Sequence, residues 1–498
     1  MYDLAGPAGR RHQAEHPDRA RWAALVVLCA GMLMIVLDAT VVNVALPAIQ
    51  SDLGFSQSGL AWVVNAYMIA FGGLLLLAGR LGDLVSRRGV FLTGLGVFTT
   101  ASLVCGLAQS QQVLVAARFV QGVGGAMTSA VILGMIITMF PEPGEQAKAI
   151  GVYAFVASAG GSVGLLAGGV LTHVLNWHWI FFVNVPIGIA AAALAVRLLD
   201  RDTGIGFGRG ADIPGAALIT TALVVGVYTI VEPAANRGWT DGQTLSYAAV
   251  AAGLLAAFLV REATTDNPLI PLRIFRSRTV SGANAIQALA IAGLFGVFFL
   301  GALYLQRVKG YDALGTGLAY LPTTLVMGAL SVRYSERLIT RFGARRTLLP
   351  GLVTIAAGLA LFARLPVGGS YLADVLPSML LIGAGVGACF PALMSLAMSG
   401  ATPQDAGLAS GLVNTTAQVG AAVGLAVLAT LSAGRTGSRL GDGVPAPVAL
   451  TDGYHLGFWV AVGLVLLALA VAVGLPRPKA AVEPTVEPAD LDAELACC

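Results

Sequence analysis

Long apolar stretches recur along the whole chain, and short segments that carry most of the polar residues separate them. A helix needs about 20 predominantly apolar residues to cross the hydrocarbon core of a membrane. Counted on this basis, the pattern predicts about fourteen transmembrane helices, near residues 23–46, 60–79, 90–108, 113–140, 149–173, 178–197, 213–232, 244–260, 280–306, 313–332, 347–363, 375–399, 406–432 and 455–475. The chain is therefore predicted to be an all-α polytopic membrane protein.

The composition excludes a soluble protein of ordinary make-up. Of the 498 residues, 57% are hydrophobic and only 11% are charged, whereas about a quarter of the residues of an average soluble domain are charged. The first apolar stretch is expected to be helix one and not a cleaved signal peptide, because it is about 24 residues long and many further spans follow it.

Basic residues are concentrated in the N-terminal tail and in alternate later loops. Because Lys and Arg accumulate in cytoplasmic loops, both termini are expected to lie in the cytoplasm. This orientation rests on Arg10, Arg11, Arg19, Arg21, Arg80, Arg87, Arg88, Arg197, Arg201, Arg209, Arg261, Arg273, Arg276, Arg278, Arg333, Arg337, Arg341, Arg345 and Arg346. The net charge of +3 follows from this asymmetry and gives no reason to expect a nucleic-acid partner.

One short enzyme motif occurs in the chain, G-x-S-x-G at 160–164, but it lies in the middle of a predicted membrane helix and has no candidate His and Asp partners. No lysine follows a glycine, so there is no G-x-x-x-x-G-K-[ST] phosphate loop, and the histidines never form H-E-x-x-H. The cysteines show no metal-binding spacing, and Cys29, Cys105 and Cys389 are expected to be small apolar helix residues. We therefore predict no catalytic residue, no metal ligand and no cofactor.

Two predicted cytoplasmic loops resemble each other. The segment "GRLGDLVSRRG" at 79–89 aligns with "ERLITRFGARR" at 336–346, and Arg88 then lies opposite Arg345. The loops occupy the same place in each half of the chain if two helices are set aside between the halves, and repeated six-helix halves are a transporter architecture. The predicted segments are a cytoplasmic tail at 1–21, a first six-helix half at 22–200, two inserted helices at 201–265, a second six-helix half at 266–476 and a disordered acidic tail at 477–498, which includes Cys497 and Cys498.

The first of these loops is a candidate latch between the halves on the cytoplasmic side. It carries Asp83 beside Arg87 and Arg88, after Gly79, so it has groups of both charges. A signal that only sets the membrane orientation would explain the arginines but would not require the carboxylate. We favour the latch, and both interpretations remain open at this stage.

Asp38 and Arg118 are the two full charges in the interiors of the predicted helices. A charge at the centre of a membrane helix costs on the order of 2.5 to 3.5 kcal/mol on insertion scales, so each residue is expected to need a partner. Arg118 shares one helix face with Gln121, Gly122 and Gly125. Asp38 either serves only to neutralise Arg118, or it gains and loses a proton as its surroundings change.

Glycines spaced by four residues mark the predicted fifth helix. Gly160, Gly164 and Gly168 share one helix face, where the missing side chains let another helix approach closely. This packing role needs no further function to explain the three residues.

Several of these motifs together resemble the major facilitator superfamily, in particular its fourteen-helix drug:proton antiporters. "LDATVVNVALP" at 37–47 is similar to the first-helix signature, "GRLGDLVSRRG" to the loop motif, "RFVQGVGGAM" at 118–127 to the fourth-helix motif, and "NWHWIFFVNVPIG" at 176–188 to the run entering helix six. The fifth-helix antiport motif is matched at Gly151, Gly160, Gly164, Gly168 and Gly169. Leu165 stands where that motif has proline, and the loop motif departs at Leu84 and Ser86.

The resemblance implies a major facilitator fold with two six-helix halves, two inserted helices and transport by alternating access. It implies an exporter in the plasma membrane, driven by the proton gradient without any cofactor, and we expect a monomer. The excess of 26 Arg over 3 Lys, with abundant Ala and Gly, indicates a GC-rich bacterial genome. The expected cargo is a lipophilic or monocationic drug, an antibiotic or a related natural product. The helices that carry Asp38 and Arg118 would line the central cavity, where these residues, as a direct pair or through shared water, would couple transport to protons.

Polar and aromatic residues of the predicted helices are candidates for substrate contact, although each one could equally serve packing or a hydrogen bond between helices. They are Asn43, Trp62, Asn65, Tyr67, Gln121, Gln287, Tyr304, Asn414 and Gln418. Two alternative functions are considered: a carrier of a lipid or small metabolite on the same fold, uncoupled or differently coupled, and a membrane receptor or enzyme. The short loops disfavour the receptor or enzyme, because they leave no room for a sensor or catalytic domain.

Overall fold

The structure is a computed structural model that describes residues 18–204, 206, 210–399 and 406–475. Within these ranges the chain is helical and contains no strand, which confirms the predicted all-α fold class. Most of the N-terminal tail predicted at 1–21 and the whole acidic tail at 477–498, with Cys497 and Cys498, lie outside the described residues.

Eighteen α-helices make up the described part of the chain. Three pairs join into longer rods through π-helical turns at Ile230–Ala234, Val297–Gly301 and Leu330–Tyr334, and a further π-helical turn at Tyr371–Val375 leads directly into a helix. The helices are α1 Asp18–Leu53, α2 Trp62–Leu84, α3 Arg87–Gly106, α4 Gln111–Met139, α5 Pro143–Val174, α6 Trp179–Phe182, α7 Asn184–Leu198, α8 Ile213–Thr229, α9 Ala235–Arg237, α10 Gly242–Thr264, α11 Arg278–Gly296, α12 Ala302–Arg307, α13 Ala313–Ala329, α14 Ser335–Phe342, α15 Ala344–Phe362, α16 Leu376–Ser399, α17 Ala406–Gly441 and α18 Ala446–Gly474.

Twelve helical spans of the described chain are long and apolar enough to cross a membrane. Two shorter apolar helices, Val163–Val174 and Ala313–Ala329, lie where the fifth and tenth spans are predicted. The polytopic membrane fold is thus confirmed, while the count of fourteen spans stays a prediction. The first helix, Asp18–Leu53, extends beyond the apolar stretch at both ends and continues past Pro47.

The two repeated loops make equivalent contacts at the ends of their halves. Arg88, at the start of α3, donates to the carbonyl of Val196 near the end of α7. Arg345, which the sequence alignment places opposite Arg88, donates to the carbonyls of Ala472 and Val473 near the end of α18. Each arginine therefore bonds the last turn of the last helix in its half, where cations are favoured by the helix dipole. We call α1–α7 the first bundle and α11–α18 the second bundle.

The inserted helices α8 and α10 lie against the seam between the two bundles. Thr220 of α8 packs on Gly73 of α2, and a side chain at Gly73 would collide with it. At the other end of α8, the carbonyl of Ile230 accepts a hydrogen bond from Thr430 of α17. Since α2 belongs to the first bundle and α17 to the second, the inserted helices contact both.

Glycines set the distance between α1 and α5. A side-chain carbon at Gly160 would lie 3.1 Å from Val36, and one at Gly168 would lie 2.8 Å from the carbonyl oxygen of Val41. Gly164, between them, faces Thr40 and Leu37 on the same helix. Backbones this close exclude larger residues on this face of α5.

The segment that follows α7 returns to the start of α3 and closes the first bundle. The carboxylate of Asp202 accepts hydrogen bonds from Ser86 Oγ at 2.6 Å and from the backbone N–H groups of Arg87 at 2.6 Å and Arg88 at 3.2 Å. Partial burial opposes ionisation of Asp202, but these hydrogen bonds outweigh it and lower its pKa below the usual value. Asp202 therefore acts as an external cap of α3.

We predict that Asp202→Asn destabilises the protein at neutral pH by about 0.5 to 1 kcal/mol, the low end for caps because the residue is exposed. A lowered pKa in the folded state stabilises the fold above the ordinary value of 3.8 and loses this effect as the pH falls through the lowered value. Thermal unfolding of the purified protein should show a Tm difference at pH 7 that shrinks below about pH 4. Glu142→Gln, at a helix start without a side-chain cap bond, is the control. An equal difference at every pH would contradict the cap.

We also predict opposite effects of alanine at two glycines of α5. Gly168→Ala should lower the stability by about 1 to 3 kcal/mol, because the added methyl group would overlap the backbone of α1. Gly151→Ala should be neutral or stabilising, since that position has no neighbour within 4 Å and alanine favours helices. The measurement is the Tm of each variant in detergent. Equal Tm values would show that α1 and α5 are not closely packed at Gly168.

Candidate functional site

The two interior charges predicted from the sequence meet inside the first bundle. Arg118 NH1 on α4 donates to Asp38 Oδ2 on α1 at 2.5 Å, and both side chains are buried, at 1% and 0% exposure. The rise of 1.5 Å per residue places Asp38 about 22 Å from the end of α1 and Arg118 about 10 Å from the start of α4. The pair therefore lies within the membrane and not at a surface.

Three neutral side chains extend the pair into a network. Gln121, one turn along α4, donates through Nε2 to Asp38 Oδ1 at 2.7 Å and accepts from Arg118 through Oε1 at 2.7 Å. Asn184, at the start of α7, donates to Asp38 Oδ1 at 3.0 Å, and Ser102 of α3 bonds Gln121 Nε2 at 2.7 Å. We call Asp38, Arg118, Gln121, Asn184 and Ser102 the central network.

Every group that bonds the Asp38 carboxylate in this network is a donor. Arg118 is always charged, and the amide nitrogens of Gln121 and Asn184 have no lone pair to offer. A proton on Asp38 would therefore face a donor at each oxygen and would break one of these bonds. This arrangement fits the ionised carboxylate.

Arg118 has further partners that hold its guanidinium in place. Its Nε donates to the carbonyl of Val63 on α2 at 2.9 Å. The guanidinium carbon lies 4.5 Å from the centre of the Tyr67 ring and 5.7 Å from that of Phe181, within the range of cation–π attraction. The four elements α1, α2, α4 and α7 thus contribute to the surroundings of a single cation, together with Phe181 of α6.

The loop residues predicted to form a latch make ion pairs and hydrogen bonds inside the first bundle. Arg87 pairs with Asp83 at 2.9 Å and donates through NH1 to the carbonyl of Gly134 and the hydroxyl of Thr138 on α4. Gly79 also faces α4, and a side-chain carbon added at Gly79 would lie 3.8 Å from Ala130. In this conformation the loop ties the ends of α2 and α3 to α4, and its role as a latch between the bundles stays a prediction.

The antiport-motif glycines surround the helix turn that carries Asp38. Gly160, Gly164 and Gly168 face α1 on both sides of that residue, while Gly169 faces α13, with an added side-chain carbon 2.8 Å from the carbonyl oxygen of Ala313. Leu165 is buried, and α5 runs through it without a break. The motif thus contacts both bundles.

The candidates for substrate contact in the first bundle differ in their surroundings. Asn43 is buried and donates to the carbonyl of Ala39 in its own helix at 3.1 Å. Asn65 is fully buried, and neither of its side-chain polar atoms has a hydrogen-bond partner in the described chain. Trp62 is partly exposed at the start of α2. The hydroxyl of Tyr67 and one oxygen of Asn43 also lack a partner in the described chain, but Asn65 is the amide with both polar atoms unpartnered.

The candidates for substrate contact in the second bundle also differ in their surroundings. Tyr304 is buried and donates to the carbonyl of Pro366, a structural hydrogen bond away from the central network. Gln418 of α17 packs on Gly72 of α2, and a side-chain carbon added at Gly72 would lie 2.8 Å from Gln418. Gln418 therefore lies at the seam between the bundles. Asn414 is exposed one turn earlier on α17, and Gln287 is buried on α11 with an oxygen that lacks a partner in the described chain.

The two bundles also meet near the end of α1. Gln306 of α12 donates to the carbonyl of Val44 at 2.9 Å. His173, in the last turn of α5, lies 3.0 Å from Asp312, the residue that caps α13. These contacts close the space between the bundles on the side opposite to the loop at 79–89.

Two members of the central network were not predicted as site residues. Asn184 lies in the motif at 176–188, and the presence of a lone amide in an apolar helix could have indicated it as a site residue. Ser102 carries no such signal, because a serine in a membrane helix commonly bonds its own backbone. Tyr67 is a candidate for substrate contact, and its ring lies beside the Arg118 guanidinium.

Comparisons with known proteins agree with this architecture. The family model described as Major Facilitator Superfamily matches residues 28–425. The puromycin resistance protein pur8 of Streptomyces alboniger is 40% identical over 462 residues, which cover 92% of this chain and 91% of that protein. The cephamycin export protein CmcT of Amycolatopsis lactamdurans is 40% identical over 461 residues, 91% of each chain. The lincomycin resistance protein of Streptomyces lincolnensis is 35% identical over 470 residues, 93% of each.

Solved structures share the fold at low sequence identity. A bacterial homolog of the human lysosomal transporter Spinster, in an inward-facing and unoccupied conformation, matches with a TM-score of 0.66 and 17% identity over 92% of this chain and 97% of that one. The nucleoside transporter NupG matches with a TM-score of 0.64 and 12% identity, over 91% and 99%. With the family model and the relatives that align over nine tenths of its length, this chain belongs to the Major Facilitator Superfamily, as its motifs predicted, and is a transporter and not an enzyme.

Proposed function

We propose that the protein exports lipophilic antibiotics or related natural products across the bacterial plasma membrane in exchange for protons. The relatives named for puromycin resistance, cephamycin export and lincomycin resistance support export of this class of cargo. The observation that carries the proton coupling is the central network, in which the one interior carboxylate of the first bundle is held by donors alone.

Proton binding at Asp38 would change the network as a whole. A protonated carboxyl group offers one donor and attracts Arg118 less strongly, so the guanidinium loses its anionic partner and must find others. Val63 and the Tyr67 ring already hold it from α2. A proton on Asp38 therefore shifts the balance of contacts from α1 toward α2, and this shift is the step that we assign to coupling.

The conformation described here fits the proton-released state that faces the cytoplasm. Positive loop charges assign the side of Arg87 and Arg88 to the cytoplasm. The contacts Gln306–Val44 and His173–Asp312 then close the outer side. A cargo molecule would enter from the cytoplasmic side while Asp38 is ionised, and protons would load from outside after the bundles rock about the seam.

The driving force and the cargo site follow from the same arrangement. Exchange of one proton for a neutral molecule moves one charge, which is worth roughly 2.3 kcal/mol per 100 mV of membrane potential.

Asn65 and Gln418 are the side chains we assign to cargo contact, because Asn65 has free buried polar atoms and Gln418 lies at the seam. The cytoplasmic loop with Asp83 and Arg87 would latch the bundles after the cytoplasmic side closes.

We predict that Asp38→Asn abolishes gradient-driven export, because asparagine cannot carry a proton at this position. In an efflux-deficient bacterial host, a panel of antibiotics should show protection by the natural protein and none by the variant. Everted vesicles should show proton release on addition of a protected compound only with the natural protein. Asp52→Asn, at the end of the same helix where Asp52 accepts from Trp177, is the matched control.

Two outcomes would count against this proposal. Full protection by Asp38→Asn would remove the residue from the coupling mechanism. Protection by neither protein against any compound would favour the carrier of a lipid or small metabolite.

We further predict that Asn184→Leu lowers the rate of gradient-driven export by about threefold to tenfold, because it removes one of the hydrogen bonds that position the Asp38 carboxylate. The measurement is the initial rate of export in proteoliposomes at a fixed gradient. Ser102→Ala, which removes a bond to Gln121 and none to Asp38, should lower the rate less. An unchanged rate in Asn184→Leu would contradict a role of this hydrogen bond in coupling.

A further inference from the structure

A second pair of buried carboxylates lies at one end of the inserted helices, far from the central network along the chain. Asp212 caps the start of α8 and Glu262 lies near the end of α10, and their residues are only 4% and 3% exposed. Buried carboxylates are costly unless each is paired or protonated. Nothing in the transport scheme above makes use of them.

Each of these carboxylates has one satisfied and one unsatisfied oxygen. Asp212 Oδ1 accepts from Arg261 Nε at 2.6 Å and from the backbone N–H of Gly215 at 3.0 Å. Glu262 Oε2 accepts from the backbone N–H of Ile270 at 2.8 Å. Asp212 Oδ2 and Glu262 Oε1 are buried, and neither finds a hydrogen-bond partner among the described residues.

The two unsatisfied oxygens point to the same place. A side-chain carbon at Gly215 would touch Asp212 Oδ2 and would lie 3.1 Å from Glu262 Oε1, so both oxygens border the space that this glycine leaves open. Asp212 and Arg261 are the charged side chains of the described chain that act on Glu262. The first bundle packs the apolar side chains of Leu74 and Leu77 on the neighbouring cluster of Ala216, Phe258 and Leu269.

We propose that Asp212 and Glu262 form a second proton-binding site, in which one proton bridges Glu262 Oε1 and Asp212 Oδ2 and holds the segment 265–277 against the inserted helices. One guanidinium balances one of the two carboxylates, and a proton balances the other. The O–H group also supplies the hydrogen bond that both bare oxygens lack. A divalent cation suits the site less well, because it requires six or more oxygen ligands and Arg261 already occupies one side.

Through the segment 265–277, the proton would affect the contacts that connect the two bundles. It joins α10 to α11, and Ile270 packs both on the cluster of Ala216, Phe258 and Leu269 and on that of Ile274, Val280, Ala409 and Leu412. The first cluster contacts α2 through Leu74 and Leu77, and the second belongs to α11 and α17. Ile270 thus connects the inserted helices and the first bundle with the second bundle.

Loss of the proton would loosen this connection. With both carboxylates ionised, Glu262 moves away from Asp212, and the hydrogen bond from the Ile270 N–H is weakened. The segment then separates from α10 on the side of the membrane where the loop 79–89 lies. The inserted helices therefore act as a proton-dependent strap across the seam, independent of Asp38.

Hydrogen–deuterium exchange of the full-length protein in detergent tests the proposal without any transport. After correction for the intrinsic effect of pH on exchange, protection of residues 265–277 should fall as the pH rises. Glu262→Gln should stay protected throughout, because the glutamine amide donates to Asp212 Oδ2 and accepts from Ile270 without a charge. At the alkaline end the variant should exchange roughly threefold to tenfold more slowly than the natural protein, as expected for one retained hydrogen bond.

Further variants keep the test decisive. Glu232→Gln, at the other end of the same helix pair where Glu232 bonds Asn236, should keep the pH dependence of the natural protein. Should Glu262→Gln fold poorly, Asp212→Asn removes the repulsion itself and should also abolish the pH dependence. Protection of the natural protein that does not change with pH, or that changes equally in Glu262→Gln, would overturn the proposal. Recovery of protection at high pH by NaCl but not by choline chloride would assign the site to a metal cation and would overturn it too.

Discussion

The permanent positive charge of Arg118 inside the membrane is the constraint on which the first bundle depends. A guanidinium cannot release its proton, and in a low-dielectric interior it must be surrounded by acceptors and aromatic faces. The chain supplies a carboxylate from α1, a carbonyl and a ring from α2, and an amide from its own helix. Because the arginine cannot change its charge, Asp38 is the member of the set that can.

Close packing of the helices lets the side chains of this network reach one another. An added side-chain carbon at Gly122, on the same face of α4 as Arg118, would lie 2.9 Å from Ala70, so α2 and α4 are near contact and Arg118 can reach Val63. The glycines of α5 bring that helix equally close to α1 beside Asp38. In lipid, where burial of apolar groups does not drive helices together, such contacts and the polar network are the forces that hold the bundle.

The inserted helices place a second set of ionisable groups at a different boundary. The central network lies among helices of the first bundle, whereas Asp212 and Glu262 lie where the inserted pair and the segment 265–277 meet the seam. A strap that contacts both bundles through Ile270 is in a position to respond to their relative movement.

Much of the fold and part of the site could be predicted from the sequence. Apolar length is a local property, so the spans were placed close to where the helices lie. The two isolated charges in apolar helices were each expected to need a partner, and a direct pair was one of the arrangements expected. The family motifs added the bundle arrangement. The alignment of Arg88 with Arg345 predicted a repeat, and the structure gives both residues the same contact with a helix end.

The tertiary structure decided everything that depends on distance between helices. Ser102 and Asn184 join the central network only because α3 and α7 approach α4 and α1, and the Tyr304 hydroxyl reaches the carbonyl of Pro366 in the loop that follows α15. Asp212 and Glu262 are 50 residues apart and lie at helix ends, where the sequence gives no reason to expect burial. The order of residues fixes which groups enter the membrane, whereas the helix packing fixes which partners each of these groups finds.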